Sequence, residues 1–140
     1  IINKDNKGKI IGIDLLETDA LPNVKILVGD INDAEIIEQV NIFFGDVKVN
    51  GVVSDMAADT TGHKPTDHIR TTMLLEVAIE IAFDFLKEGG FFLGKCFKGG
   101  TESSVLKTLN KSFKTVKHVK PDASRKESVE SYVLAMGFKQ

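Results

Sequence analysis

Apolar positions fall in short unbroken blocks near the N-terminal end and at helical spacing further on. Lys9–Leu16 (KIIGIDLL) is a β-branched run with an acid near its end, and Val24–Asp30 (VKILVGD) repeats that design. Continuous apolar runs of this length mark strands covered on both faces, as in a parallel sheet. Asn32 then reads as a helix N-cap with Glu35 three residues on, opening a helix to about Phe43. Val49–Met56 (VNGVVSDM) is a third strand, ending near Asp55. Ala57–Thr66 is polar, carries Gly62 and Pro65, and reads as a loop. From Asp67 the spacing predicts a long amphipathic helix. Ile69, Met73, Val77, Ile81 and Phe85 fall four apart, with Leu74, Ala78, Ala82 and Leu86 as the adjacent row. Gly89-Gly90 reads as its terminator. Phe91–Phe97 (FFLGKCF) is the fourth strand. Thr101–Phe113 is a helix with Val105, Leu106, Leu109 and Phe113 on one side, and Thr115–Val119 and Ser131–Phe138 are the last strands.

Strands and helices therefore alternate, and parallel strands need such helical crossovers. The final two strands are joined by Lys120–Glu130, which has no helical pattern, so they are expected to be antiparallel. The architecture is an α/β fold: a mostly parallel, Rossmann-like open sheet with an antiparallel C-terminal strand. A doubly wound domain opens with a strand, a glycine-rich turn and a helix, and that opening is not recognisable here. Residues 1–140 are read as one N-terminally truncated domain, because Ile1-Ile2-Asn3-Lys4-Asp5 resembles neither a start nor a signal peptide.

Composition narrows the class. At 140 residues, 42% hydrophobic and 27% charged, the chain is an ordinary globular domain. No apolar run approaches the length of roughly 20 residues that spans a bilayer. The single cysteine, Cys96, excludes an internal disulfide and a cysteine-cluster metal site, which fits a reducing cytoplasmic setting. Net charge is −2, so no global positive field marks a nucleic-acid binder. The distribution differs: Lys107, Lys111, Lys114, Lys117, Lys120, Arg125 and Lys126 meet only Asp122 between residues 107 and 126. That asymmetry permits a local RNA-facing patch, and equally a solvated helix face followed by an exposed strand.

In open α/β sheets ligands bind at the carboxyl ends of the parallel strands. Asp14, Asp30 and Asp55 end three strands, and Lys95 lies inside the fourth. The topology is expected to bring all four to one edge. An acid at Asp14 can accept two hydrogen bonds from a vicinal ribose diol, or merely cap a turn. Asp30 can accept from an adenine amino group, or compete with Asn32 to cap the next helix. Asp55 can serve chemistry, or bind backbone amides of its loop. Lys95 shares a strand face with Leu93 and Phe97, and burying an ammonium is costly unless it is paired or snorkels outward. Glu130 precedes the last strand, where plain solvation is the alternative to a role in the site.

Three blocks resemble the FtsJ/RrmJ ribose methyltransferases: Val53-Ser54-Asp55-Met56-Ala57, the strand Gly89–Phe97 with Lys95 near its end, and Lys120-Pro121-Asp122-Ala123-Ser124-Arg125. Glu130-Ser131-Tyr132 is similar to that family's acid two residues before a tyrosine. Leu86-Lys87-Glu88-Gly89-Gly90 resembles the methyltransferase turn before a strand, with Glu88 where proline is usual. The resemblance covers the chain from Asp14 onward. It implies a Rossmann-like S-adenosylmethionine-dependent fold and a Lys-Asp-Lys-Glu catalytic set whose last three members are Asp55, Lys95 and Glu130. Its first lysine and the cofactor glycine motif belong upstream of the sequence in hand. The resemblance also implies S-adenosyl-L-methionine as cofactor, with Asp14 on the adenosine ribose, Asp30 on adenine and Asp55 near the methionine end. The substrate it implies is a ribose 2′-hydroxyl in ribosomal RNA of the large subunit; a monomer is the default for an edge that must admit RNA, and no metal is expected.

In such a transfer Lys95 would act as base or oxyanion stabiliser, Asp55 as orienter and Glu130 as support. Other classes fit fewer residues. A nicotinamide-dependent Rossmann oxidoreductase would also place an acid at Asp14, but hydride transfer does not require Lys95 and Glu130. A phosphate-binding GxxxxGK[ST] loop is missing. A metal hydrolase would have to use His63, His68 and Asp55. A truncated fragment that folds but binds no cofactor is the non-enzymatic alternative.

Overall fold

The computed structural model describes residues 8–56, 61–97, 103–120 and 130–140. The elements run β1 (Ile10–Asp14), β2 (Val24–Val28), α1 (Ala34–Phe44), β3 (Val49–Ser54), α2 (Lys64–Phe85), β4 (Leu86–Phe97), α3 (Ser103–Ser112), β5 (Phe113–Val119) and β6 (Glu130–Phe138). The chain divides into two compact units, Ile1–Val47 and Lys48–Gln140.

In the first unit β1 and β2 pair in parallel, with Ile10 opposite Val24 and Asp14 opposite Val28. The predicted strands are there, each cut back to its apolar centre. Helix α1 starts one residue later than the Asn32 cap implied. The Asn32 backbone and side-chain N–H groups both donate to Asp30 Oδ1, at 2.9 and 3.2 Å. Asn32 is thereby engaged in the turn, and Asp33 takes the cap, accepting from the Glu35 N–H at 3.0 Å. Ile36, Val40 and Phe44 form the buried stripe of this helix.

In the second unit the sheet order is β3-β4-β6-β5. β3 and β4 are parallel, while β6 runs antiparallel to both β4 and β5. The α/β class and the antiparallel C-terminal strand agree with the sequence reading. The last strand inserts between its two predecessors, a step that local pattern does not encode.

Helix α2 corrects the reading in two places. It begins at Lys64, not Asp67, because His63 caps it and Pro65 falls in its first turn. Proline there removes no helical hydrogen bond, so it is no reason to prolong the loop. Its buried face is Asp67, Thr71, Leu75, Ala78, Ile79 and Ala82, whereas Ile69 and Met73 are 58% and 61% exposed. Of the stripe proposed from spacing, Ala78, Ala82 and Leu86 are buried in the core, while Ile69 and Met73 lie off it, because the polar Asp67 and Thr71 begin the core face. Nor does Gly89-Gly90 end the helix. The helix stops at Phe85 and the chain passes directly into β4, where Gly89 takes φ +83°. The β3–β4 register jumps there from Val49 opposite Leu86 to Gly51 opposite Phe91. The glycines form an irregularity in the strand, a place where positive φ is cheapest for glycine.

Helices α2 and α3 cover one face of this sheet. Leu75, Ala78, Ile79 and Ala82 from α2 and Val105 and Leu109 from α3 pack on Phe92, Cys96, Val133 and Ala135. Phe83, Phe113 and Phe138 close one end as a ring cluster with centroids 5.2–6.4 Å apart. Alternation turns Leu93, Lys95, Tyr132 and Leu134 to the opposite face.

Candidate functional site

β3 ends at Ser54, and Asp55 follows it at the carboxyl end of the parallel β3–β4 pair. On β4, Lys95 lies directly opposite Tyr132 of β6. The two share one sheet face, and both reach Asp55. Lys95 Nζ is 3.0 Å from Asp55 Oδ1, and the Tyr132 hydroxyl donates to the same oxygen at 2.6 Å. The Lys95 side chain is 11% exposed and that of Asp55 69%. The ammonium is therefore held inside the protein by a carboxylate that opens to solvent. A buried ammonium is tolerable only with such a partner, which is why Lys95 can occupy an apolar strand.

The electrostatics follow from this arrangement. Burial pushes the Asp55 carboxyl up. The Tyr132 hydroxyl, the Lys95 hydrogen bond and the Lys95 charge together outweigh it and hold Asp55 below the ordinary carboxylate range. Behind the pair, on the covered face, Cys96 Sγ and Ser131 Oγ lie 3.2 Å apart and are register partners. They tie β4 to β6 one position from Lys95 and Tyr132, which fixes the ladder on which the site stands.

Of the residues singled out from sequence, Asp55 and Lys95 meet. Glu130 opens β6, its backbone opposite Phe97 and two residues before Tyr132. The Pro121–Lys126 portion of the basic segment, which holds most of the Lys120–Arg125 block, lies outside the described residues. Asp14 and Asp30 belong to the first unit, at the same end of the β1–β2 pair, where the Gly29 N–H donates to the Asp14 carbonyl at 2.8 Å. Each uses one oxygen locally: Asp14 Oδ1 accepts from the Leu16 N–H at 3.1 Å, and Asp30 Oδ1 binds Asn32. The turn-capping roles weighed for these acids are present. Each also keeps a second carboxylate oxygen with no bond among the described residues, as a hydroxyl or amino donor would require.

Two residues escaped the sequence reading. Tyr132 served there only as a family marker, although it is the single tyrosine in the chain and a polar-tipped residue in the strand YVLAM. Asp67 was read as a helix start. It is 5% exposed and accepts from the Thr61 N–H at 2.8 Å and the Thr61 hydroxyl at 2.7 Å. Those Thr61 bonds, helped by a Gly62 N–H and the Arg70 charge, overcome burial and hold its carboxyl below the ordinary range. The far end of the segment that leaves Asp55 is thus pinned to α2.

His63 caps α2 through Nδ1, 2.7 Å from Thr66 Oγ1. Among the described residues no three His, Cys, Asp or Glu side chains are grouped to hold a metal. A cavity of about 390 Å³ between α2 and α3, floored by Ile79, Phe83 and Val105 and edged by Glu76 and Glu80, contains none of the candidate residues. No helix among the described residues is long and apolar enough to cross a membrane.

A model of the FtsJ-like methyltransferase family matches residues 1–138. The sequence is 50% identical over 137 residues to a ribosomal RNA large subunit methyltransferase E from Bartonella henselae, covering 98% of the chain and 55% of that protein. It is 50% identical over 135 residues to the protein of the same name from Brucella ovis, with 96% and 56% covered. The chain thus spans about half the length of the curated relatives it matches. A crystal structure of a ribosomal RNA methyltransferase from Plasmodium falciparum superposes with a TM-score of 0.82 at 27% identity, covering 98% of this chain and 76% of that one. At 14% identity and a TM-score of 0.52, a methyltransferase structure from Streptococcus mutans in complex with SAH shares the fold, covering 93% of this chain and 72% of that one.

Proposed function

The chain belongs to the FtsJ-like methyltransferase family, and on that premise we propose that it is the core of an enzyme that methylates a ribose 2′-hydroxyl of large-subunit ribosomal RNA. The observation that carries the reading is the convergence of Lys95 and Tyr132 on one oxygen of Asp55 at the carboxyl edge of a parallel strand pair. In this reading both compact units belong to one methyltransferase domain, monomeric and cytoplasmic. The relatives' name supports ribosomal RNA as substrate.

S-adenosyl-L-methionine, when bound, supplies a methyl group on a sulfonium, already a strong electrophile. Asp14 and Asp30 suit its adenosine end: a carboxylate oxygen for the ribose hydroxyls and another for the adenine amino group. Asp55 lies near the methionine end, as the family resemblance implies. The protein then has two tasks, to position the nucleophile in line and to manage the proton of a weakly acidic hydroxyl. Lys95 acts in one of two protonation states: as the ammonium it places a cation where the ribose oxygen gains negative charge, and as the neutral amine it takes the proton that oxygen gives up. Asp55 holds the Lys95 ammonium in place, and its exposed second oxygen faces the reactants. Tyr132 fixes the rotamer of Asp55 by occupying the oxygen that Lys95 also uses. Glu130 supports this group from the start of β6.

Calorimetric titration of S-adenosylmethionine tests the cofactor assignment. The wild-type protein at its full natural length binds it, and Asp14→Ala weakens binding with the fold intact. A folded wild-type protein that takes no S-adenosylmethionine and binds a nicotinamide nucleotide instead overturns the proposal.

A further inference from the structure

Between residues 103 and 120 the sequence has five lysines, Lys107, Lys111, Lys114, Lys117 and Lys120, and no aspartate or glutamate, in a chain whose net charge is −2. All five are exposed, and none has a carboxylate partner among the described residues. Four stand on two elements that pack together, α3 and β5, and Lys120 follows the end of β5. Such crowding works against folding. Lys107 and Lys111 repel each other at helical i,i+4 spacing, and the strand charges add to the repulsion. Guarding the free edge of the sheet accounts for lysines on β5, the terminal strand of the order β3-β4-β6-β5. It does not account for Lys107 and Lys111, which lie on a helix that has no edge to guard.

The register connects these charges to the reaction site. Val119 of β5 is opposite Tyr132, which is opposite Lys95, and the next row on that face is Lys117, Leu134 and Leu93. With strands about 4.8 Å apart, the β5 edge lies about 10 Å from Lys95 across the sheet. Lys114 and Lys117 of β5 and Lys120 just beyond it recur every third residue, about 10 Å apart where the chain is extended, and three residues is an odd step, so Lys114 and Lys117 project to opposite sides of the edge. A polyanion following the edge meets charge on each side of it, and α3 extends the positive surface away from the sheet.

We propose that the α3–β5 corner is a docking strip for the phosphate backbone of the RNA substrate, which positions the strand whose ribose lies at Lys95 and does not touch the reacting atoms. The inference rests on the ribosomal RNA reading above and deepens it. Binding of unmodified large-subunit ribosomal RNA transcript is measured across a potassium chloride series. The proteins compared are the wild type, Lys107→Gln/Lys111→Gln, Lys114→Gln/Lys117→Gln/Lys120→Gln, and the same triple with arginine. Each lost phosphate contact lowers the slope of log K against log salt by about 0.7–0.9, so the glutamine triple loses about 2 to 3 in slope and the pair about 1.5. The arginine triple keeps the wild-type slope, which separates lost charge from lost fold. Lys95→Ala keeps the slope and loses methyl transfer. A wild-type slope in both glutamine variants overturns the strip while leaving the methyltransferase reading intact. Failure of the wild-type protein to bind the transcript at all overturns the strip and the RNA reading together.

Discussion

Lys95 and Tyr132 stand directly opposite each other across the β4–β6 ladder, and both reach Oδ1 of Asp55. One carboxylate oxygen therefore collects a cation and a hydroxyl from two strands that are adjacent in space and 35 residues apart in sequence at their cross-linked neighbours, Cys96 and Ser131. Two of the three side chains are anchored on paired strands, which suits a reaction in which position matters more than bond-making help from the protein.

Replacing Tyr132 with Phe removes the hydroxyl and leaves the ladder. The Asp55 carboxyl then titrates higher than in the wild type, because one of the groups holding it down is gone. A depressed carboxylate contributes stability above its unfolded pKa and loses it as pH falls through the folded value. The Tyr132→Phe protein should therefore lose the Asp55–Lys95 pairing at higher pH on acidification. With Asp55 so exposed, the stability change at neutral pH stays below about 1 kcal/mol. Carbon-detected NMR titration of the Asp55 carboxyl checks the direction, and an unchanged or lower titration point counts against the coupling.

Asp67→Asn loosens the turn into α2, because a neutral amide oxygen accepts the two Thr61 bonds without the charge that strengthens them. The wild-type carboxyl lies below the ordinary range, so its contribution is complete at neutral pH and fades only as the solution becomes more acid than about pH 4. Thermal unfolding of both proteins from pH 3 to 7 should show a gap in Tm that is widest at neutral pH and closes toward the acid end.

Gly94 precedes Lys95, and a Cβ built there lies 2.6 Å from Leu75 Cδ1 and 2.7 Å from Phe92 Cζ. Both neighbours are buried core residues. Gly94→Val is expected to destabilise the protein by about 1–3 kcal/mol through overpacking. Phe92→Ala, with the ring fully buried, costs about 3–5 kcal/mol through the cavity it leaves. Denaturant unfolding measures both, and a loss of less than about 0.5 kcal/mol at either site contradicts the packing described.

The strands were legible because short β-branched apolar runs ending in an acid favour a strand, but their expected burial on both faces is not met in β1 and β2, where only Leu27 is buried and Val28 is 51% exposed. Asp55 and Lys95 were legible on similar grounds: a charge placed at or inside such a run demands a partner. The Ala78, Ala82 and Leu86 row of α2 was legible too, but its first turns were not, because Asp67 and Thr71 open the buried face while Ile69 and Met73 face outward, an inversion that local hydropathy cannot anticipate. Pro65 and Gly89-Gly90 misled for a related reason. Each is permitted inside an element in one special position, the first helical turn or a strand irregularity, and only the partner strand decides which applies. The role of Tyr132 depends on β6 entering between β4 and β5, a long-range pairing with no local signature.

The decisive measurement is methyl transfer by the protein at its full natural length, wild type against Lys95→Ala. Labelled S-adenosylmethionine and unmodified large-subunit ribosomal RNA are the reactants, and the nucleosides are digested and identified by mass spectrometry. The wild type should yield a 2′-O-methylnucleoside. Lys95→Ala should slow its formation by about 10²–10⁴-fold with S-adenosylmethionine affinity nearly unchanged. Near wild-type turnover by Lys95→Ala, or a methyl group found on a base, would contradict the role assigned to the Asp55–Lys95 pair.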